Sequence, residues 1–361
     1  MDGDGFSLGH AAYLLMVGNF TGNLTSAFLN GSTGGEDTYY FYQTEQVTFL
    51  CILLALIVCG NSAVLVAILK SKRRSSRMNF FIINLAIADL SVGLLNVLPD
   101  TIWKITVEFM AGDAVCRTVR YMQGVVTYAS TYVLVALSID RLDVIARPMY
   151  FTRAGARSKW LIGTAWTISF LFALPMTSIN ELVFKDGIWQ CWINFPEHWH
   201  WKLYITLIAI VLFILPAIFI AICYIVIVLI IWNHGTVSDG GARFARKRLL
   251  PRGDSCESCR NGNIELKQAS SSRGVIPKAK IKTIKMTLTI VTVFICCWSP
   301  FFVFDLLDVY GHIPMSQEKV AISTFIQSLA PLNSAANPVI YTLFNTKICR
   351  AVFSCQVSSH H

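Results

Sequence analysis

Asp89 lies within an apolar run, Asn79–Trp103, more than ten residues from the nearest other charge. A carboxylate at membrane depth needs a counter-charge or hydrogen-bond donors. Groups of suitable chemistry occur on two other apolar stretches. One is Ser130; the others are Asn333, Ser334 and Asn337, with Tyr341 continuing the step of four from Asn333 and Asn337. Gathered together they could hold a small cation, sodium, with water at Asp89; the plainer alternative is hydrogen-bond satisfaction of a buried acid. A second series is Arg120, Gln123, Thr127, Ser130, Leu134, Leu137 and Arg141, advancing in steps of three and four. That is one face of a helix, about 32 Å long at 1.5 Å per residue. Polar groups along so much of one face predict a central helix. A third series sets Phe294, Trp298, Phe301, Phe302 and Asp305 around Pro300. Proline kinks a helix, so these aromatics suit a hinge as well as plain core packing. None of this is bond-making chemistry. No zinc-protease HExxH, phosphate loop, G-x-S-x-G or paired-carboxylate pattern occurs, and the expectation is that the chain is not an enzyme.

The elements carrying these groups follow from composition. The 361 residues are 54% apolar and 14% charged, against about 45–50% and 25% for soluble domains. The apolar residues collect in seven runs: Val47–Leu69, Asn79–Trp103, Asp113–Val144, Lys159–Glu181, Lys202–Trp232, Ile281–Val309 and Val320–Phe344. Each offers the ~20 residues that cross ~30 Å of hydrocarbon. The predicted fold class is an all-α membrane protein, a seven-transmembrane helix bundle. Of the 30 Lys and Arg, 24 fall in segments 70–77, 141–159, 233–285 and 345–361. That asymmetry places these segments in the cytoplasm and the N-terminus outside. The net charge of +9 is therefore a property of inner loops in contact with the bilayer, and nucleic acid is not an expected partner. Sequons at Asn19, Asn23 and Asn30 agree as glycosylation sites on the outside. The expected organisation is an extracellular tail 1–45, a membrane domain 46–345 with a basic cytoplasmic loop 233–280, and a short tail 346–361. Residues 346–356 read as an amphipathic helix at the inner leaflet.

Among the 11 cysteines, Cys116 and Cys191 are the two on the oxidising side, which predicts a disulfide. Cys349 and Cys355 flank the inner leaflet as palmitoylation candidates. Cys256-x-x-Cys259 lacks further ligands for zinc, and Arg252-Gly253-Asp254 reads as a solvated inner turn.

In order along the chain come Gly60-Asn61, Leu85-Ala86-Ile87-Ala88-Asp89, Cys116, Asp140-Arg141, Trp166, Pro216 with Tyr224, Cys297-Trp298-Ser299-Pro300 and Asn337-Pro338-Val339-Ile340-Tyr341. With these, the chain resembles a rhodopsin-like (class A) G-protein-coupled receptor across nearly all its membrane domain. Lys278–Thr287 and Tyr128-Ala129-Ser130-Thr131-Tyr132 are similar to the vasopressin/oxytocin-like peptide receptor group. Ser76–Phe81 and Cys116–Tyr121 are similar to neuropeptide S receptors and arthropod cardioactive peptide receptors. Two departures stand out. Leu142 replaces the usual Tyr after Asp140-Arg141, and Lys280 stands where many members carry an acid that pairs with the arginine.

The resemblance implies a plasma-membrane receptor for an extracellular neuropeptide, with a cyclic amidated cardioactive peptide as first reading. A vasopressin/oxytocin-like or neuropeptide S-like peptide is the alternative. A pocket of Asp100, Arg120, Gln123, Trp298, Phe302, Asp305 and Gln327 would take the peptide. Gln123 stands where amine receptors carry an acid, which disfavours a small amine. Activation would repack Phe294 and Trp298 about Pro300, with Tyr224, Tyr341, Asp140 and Arg141 as the inner switch. Arg141 and Met149 would meet a heterotrimeric G protein, and arrestin is a further partner. A channel or transporter is the reading from a different class; the chain shows neither rings of charge nor inverted repeats.

Overall fold

The computed structural model describes residues 36–71, 76–147, 154–185, 187–248, 278–314, 322–323, 325–326 and 329–344. Asn19, Asn23, Asn30, Met149, Gln327, Cys349, Cys355 and the inner-leaflet helix lie outside the described residues. Seven helices form the bundle: α1 (Glu36–Leu69), α2 (Arg77–Thr106), α3 (Asp113–Ala146), α4 (Ala154–Ala173), α5 (from His198 to Arg248), α6 (Lys278–Val309) and α7 (Leu329–Phe344). Between α4 and α5 an antiparallel hairpin pairs β1 (Asn180–Lys185) with β2 (Ile188–Ile193).

Among the described residues, six of the helices are long and apolar enough to cross a membrane. α7, over its 16 residues, packs against α1, α2 and α6. The predicted centrality of α3 holds: 72% of its most apolar window is buried, against 22–50% for the other five. The outer surface is oily, with Ile52, Leu56, Leu171, Ile218 and Ile225 all exposed, while Asp89, Asn61, Asn337 and Asp140 are buried. A lipid solvent demands this inversion, because helices satisfy their own backbone and leave only side chains to choose a side.

Helix ends differ from the apolar borders. α4 stops at Ala173 rather than reaching Glu181, which lies in β1. Pro175 is the cause: it lacks an N–H and biases Leu174 away from helical torsions, leaving only the short turn Met176–Ile179. α1 begins within the predicted tail, and α5 continues to Arg248, so residues 233–248 of the predicted loop are helical. Hydropathy marks the edge of the hydrocarbon; the backbone ladder runs past it.

Two π turns shape the outer half. Gly93–Val97 precedes Pro99, and Ala209–Ile214 precedes Pro216. A proline clashes with the carbonyl four residues back and cannot bond to it. A widened turn absorbs both problems and rotates everything beyond it. Close approach also depends on glycine. A Cβ on Gly60 would lie 3.0 Å from the Pro338 ring, and one on Gly93 would lie 2.8 Å from Ile57 Cγ2.

Candidate functional site

Rotation of α2 beyond its π turn brings Asp100 to face α3. Gln123 Nε2 donates to Asp100 Oδ1 at 2.8 Å, and Arg120 Nη1 donates to Gln123 Oε1 at 3.0 Å. Arg120 Nη1 is also 4.0 Å from Asp100 Oδ1. Its other amine reaches the Cys191 carbonyl at 3.4 Å, and its guanidinium lies 4.4 Å from the centre of the Trp103 ring. The box is therefore a carboxylate, an amide and a guanidinium, roofed by the hairpin and walled by an indole. Charge-assisted bonds and cation–π contact fix Arg120 in place while it is 3% exposed.

The roof is covalent. Cys116 and Cys191 form the predicted disulfide, with Cα atoms 5.6 Å apart. The turn between α2 and α3 clasps the same strand: Phe109 N donates to the Trp189 carbonyl at 2.8 Å. Trp189 N in turn donates to Glu108 Oε1 at 3.3 Å. Val107, at φ +64°, makes the sharp bend that turns Phe109 onto Trp103, ring centres 5.1 Å apart.

Deeper in the bundle, Trp298 stacks on Phe302 at 5.5 Å, Phe302 on Phe213 at 5.4 Å, and Phe294 lies 6.3 Å from Trp298. Phe294, Trp298 and Phe302 sit on either side of Pro300 inside α6, and Phe213 meets them from α5. Asp305, one turn farther out and 1% exposed, has its Oδ2 without a hydrogen-bond partner among the described residues. Of the predicted pocket residues, Asp100, Arg120 and Gln123 form a polar box on α2 and α3, and Trp298 and Phe302 an aromatic floor on α6. Trp103, Lys104 and Asn96 belong to the same region and escaped the sequence reading. Lys104 Nζ donates to Gln46 Oε1 at 2.8 Å, and Asn96 donates to Thr127 Oγ1 at 3.2 Å. A Trp-Lys pair at the outer end of a membrane helix also reads as an interfacial anchor, so its type alone gave no signal.

The Asp89 cluster assembles. Ser130 Oγ and Ser334 Oγ donate to Asp89 Oδ1 at 2.7 and 2.9 Å, and Asn337 Nδ2 donates to Asp89 Oδ2 at 2.7 Å. The Oδ1 atoms of Asn333 and Asn337 are buried without hydrogen-bond partners among the described residues. Asn61 ties α1 to this level, donating to the Ser334 carbonyl at 3.2 Å.

At the inner end, Arg141 pairs with Asp140, as the sequence suggests. The surroundings are richer than predicted. Arg77 also pairs with Asp140 and reaches Asp143 at 3.2 Å; Arg157 pairs with Asp143. Tyr224 packs with Ile145, Ile227 and Ile284, while Tyr341 is fully buried in the main core. The arrangement can bind a polar ligand at one end of the bundle and hold an arginine at the other, with rearrangeable aromatic packing between.

Comparison with known proteins agrees. The profile of the family described as 7 transmembrane receptor (rhodopsin family) matches residues 60–341. The neuropeptide S receptor of Mus musculus is 42% identical over 316 residues, covering 86% of this chain and 79% of its own. The mesotocin receptor of Rhinella marina is 37% identical over 303 residues, covering 83% and 73%. The cephalotocin receptor 1 of Octopus vulgaris is 34% identical over 310 residues, covering 83% and 77%.

Proposed function

Because the chain belongs to the rhodopsin family of seven-transmembrane receptors, we propose that it is switched on by a short extracellular neuropeptide of the cardioactive kind, cyclic and amidated. It is a multi-pass plasma-membrane protein, a peptide receptor that couples to G proteins, and not an enzyme. The observation that carries the ligand class is the Arg120–Gln123–Asp100 box under the hairpin. A small cationic amine would want an acid at Gln123. A peptide offers carbonyls for Arg120, an amide for Gln123 and a basic or amino-terminal group for Asp100 and Asp305.

The names of the relatives favour a second reading, a neuropeptide S-like or oxytocin-like peptide. With the N-terminus outside, peptide docking deepens into the aromatic floor. Binding that is stronger in the active arrangement shifts the population toward it. Phe294 and Trp298 repack at Pro300, the inner half of α6 swings, and Arg141 leaves Asp140 for the G protein. Arrestin recruitment belongs to the same proposal.

Sodium fits the Asp89 cluster. Asp89 would supply the charge, Ser130 and Ser334 their hydroxyl oxygens, and Asn333 and Asn337 amide oxygens that have no other hydrogen-bond partner among the described residues. A bound cation would balance the buried carboxylate and hold α2, α3 and α7 together in the resting state.

Cells expressing the chain, given synthetic cardioactive, oxytocin-like and neuropeptide S peptides separately, test the assignment through calcium and cyclic AMP. The cardioactive peptide is expected to act at the lowest concentration. Arg141→Ala is expected to keep binding and lose the signal. A lower effective concentration for either other peptide would move the assignment to that class. Peptide-gated ion current without nucleotide exchange would point to a channel.

A further inference from the structure

We propose that Asp143 is a positioning residue for Arg141: it shares Arg77 with Asp140 and so sets how firmly Asp140 keeps Arg141 at rest. The inference rests on the receptor reading above.

Asp140 and Asp143 lie three residues apart on one side of α3, facing the ends of α2 and α4. Arg77, the first residue of α2, bridges them, with Nε on Asp140 Oδ1 and Nη2 3.2 Å from Asp143 Oδ2. Arg157 on α4 pairs with Asp143 Oδ1. Ser158 joins in, accepting from Arg77 Nε at 3.1 Å and lying 3.4 Å from Asp140 Oδ1. Arg141 takes the remaining oxygen, Asp140 Oδ2. Two carboxylates thus serve three guanidiniums. Arg77 and Arg141 compete for Asp140, which is fully buried, and Asp143 draws part of Arg77 away.

The usual second restraint is missing from the sequence. Residues 278–290, which open α6, contain no Asp or Glu and include Lys280. Restraint of Arg141 therefore falls on the α2–α3–α4 side. Removing the charge of Asp143 would leave Arg77 a single carboxylate, Asp140, and would loosen the hold on Arg141. Removing Arg77 would give Asp140 to Arg141 alone and tighten it. A role confined to fastening the three helices would move both variants in the same direction.

The test uses the full chain in lipid nanodiscs with purified G-protein heterotrimer. Guanine-nucleotide exchange is measured without any peptide and normalised to receptor amount. Asp143→Asn is expected to raise basal exchange by about fivefold, and Arg77→Gln to lower it by about fivefold, the coupling typical of one ion-pair network. The double variant should follow Arg77→Gln. Asp143→Ser and Arg77→Met provide a second pair should either first variant fail to fold. The same sign of change in both single variants would overturn the proposal. So would unchanged exchange in both while Arg141→Ala abolishes it. Peptide is omitted, so an error in the ligand leaves this result untouched; absence of exchange in the wild type and every variant would overturn this proposal, and absence of exchange with peptide present as well would overturn the receptor reading.

Discussion

Arg120 is nearly sealed from solvent, yet it touches an amide, a carbonyl, a carboxylate and an indole face. Each contact turns one part of the guanidinium, and only a ligand group that reproduces these bonds can enter without loss. Asp100→Ala would leave Gln123 and Arg120 short of a buried partner, a penalty of about 1–3 kcal/mol. Peptide potency in a calcium assay should fall by roughly 10–100-fold, with surface expression kept; an unchanged potency would remove the box from the binding site. Asp89 makes a parallel case deeper in the bundle. Replacing choline chloride with sodium chloride should raise the melting temperature of the purified wild type. Asp89→Asn should show no such rise, since its amide carries no charge for a cation. A sodium response that survives in the variant would place the ion elsewhere. These two residues were legible from sequence because an acid in an apolar run is conspicuous. Arg77, Asp143 and Arg157 were not, since charges at the inner membrane edge already had a sufficient explanation in topology.

At the scale of the element, the position of Asp100 depends on a π turn that exists because Pro99 follows it. Pro99→Ala restores the N–H and lets the turn close into a regular helix. Losing one residue from the turn rotates the outer half of α2 by about 100° at 3.6 residues per turn. Potency should then fall as far as in Asp100→Ala although Asp100 is intact, and a full peptide response would show that the turn is set by something else. The α1–α7 contact offers a stability test. Gly60→Val drives a branched side chain into the Pro338 ring, and overpacking of this kind costs about 1–3 kcal/mol. Thermal unfolding in detergent should show a lower midpoint; an unchanged one would mean α7 shifts freely. Hydropathy gave the existence and order of the helices, but not the π turns, because periodicity over a few residues cannot register one inserted residue. The strand pair at β1–β2 was hidden for a related reason. Its link to Phe109 depends on a partner far along the chain.

Across the whole molecule, polar groups run from the outer box, through the Asp89 cluster, to the Asp140–Arg141 pair, all carried or touched by α3. Lipid accounts for this column: polar side chains that cannot face hydrocarbon must face one another. The same constraint made the bundle and its central helix readable from composition and spacing. Which oxygen meets which nitrogen needed coordinates. The central claim is that peptide docking in the outer box frees Arg141 at the opposite end. The most direct measurement is guanine-nucleotide exchange on purified G protein by the full chain in nanodiscs, with and without a cardioactive peptide, beside Arg141→Ala. The account predicts that peptide accelerates exchange by the wild type, and that the variant binds peptide equally well but accelerates nothing. Peptide bound at the box with exchange unchanged in the wild type, or equal acceleration by the variant, would contradict it.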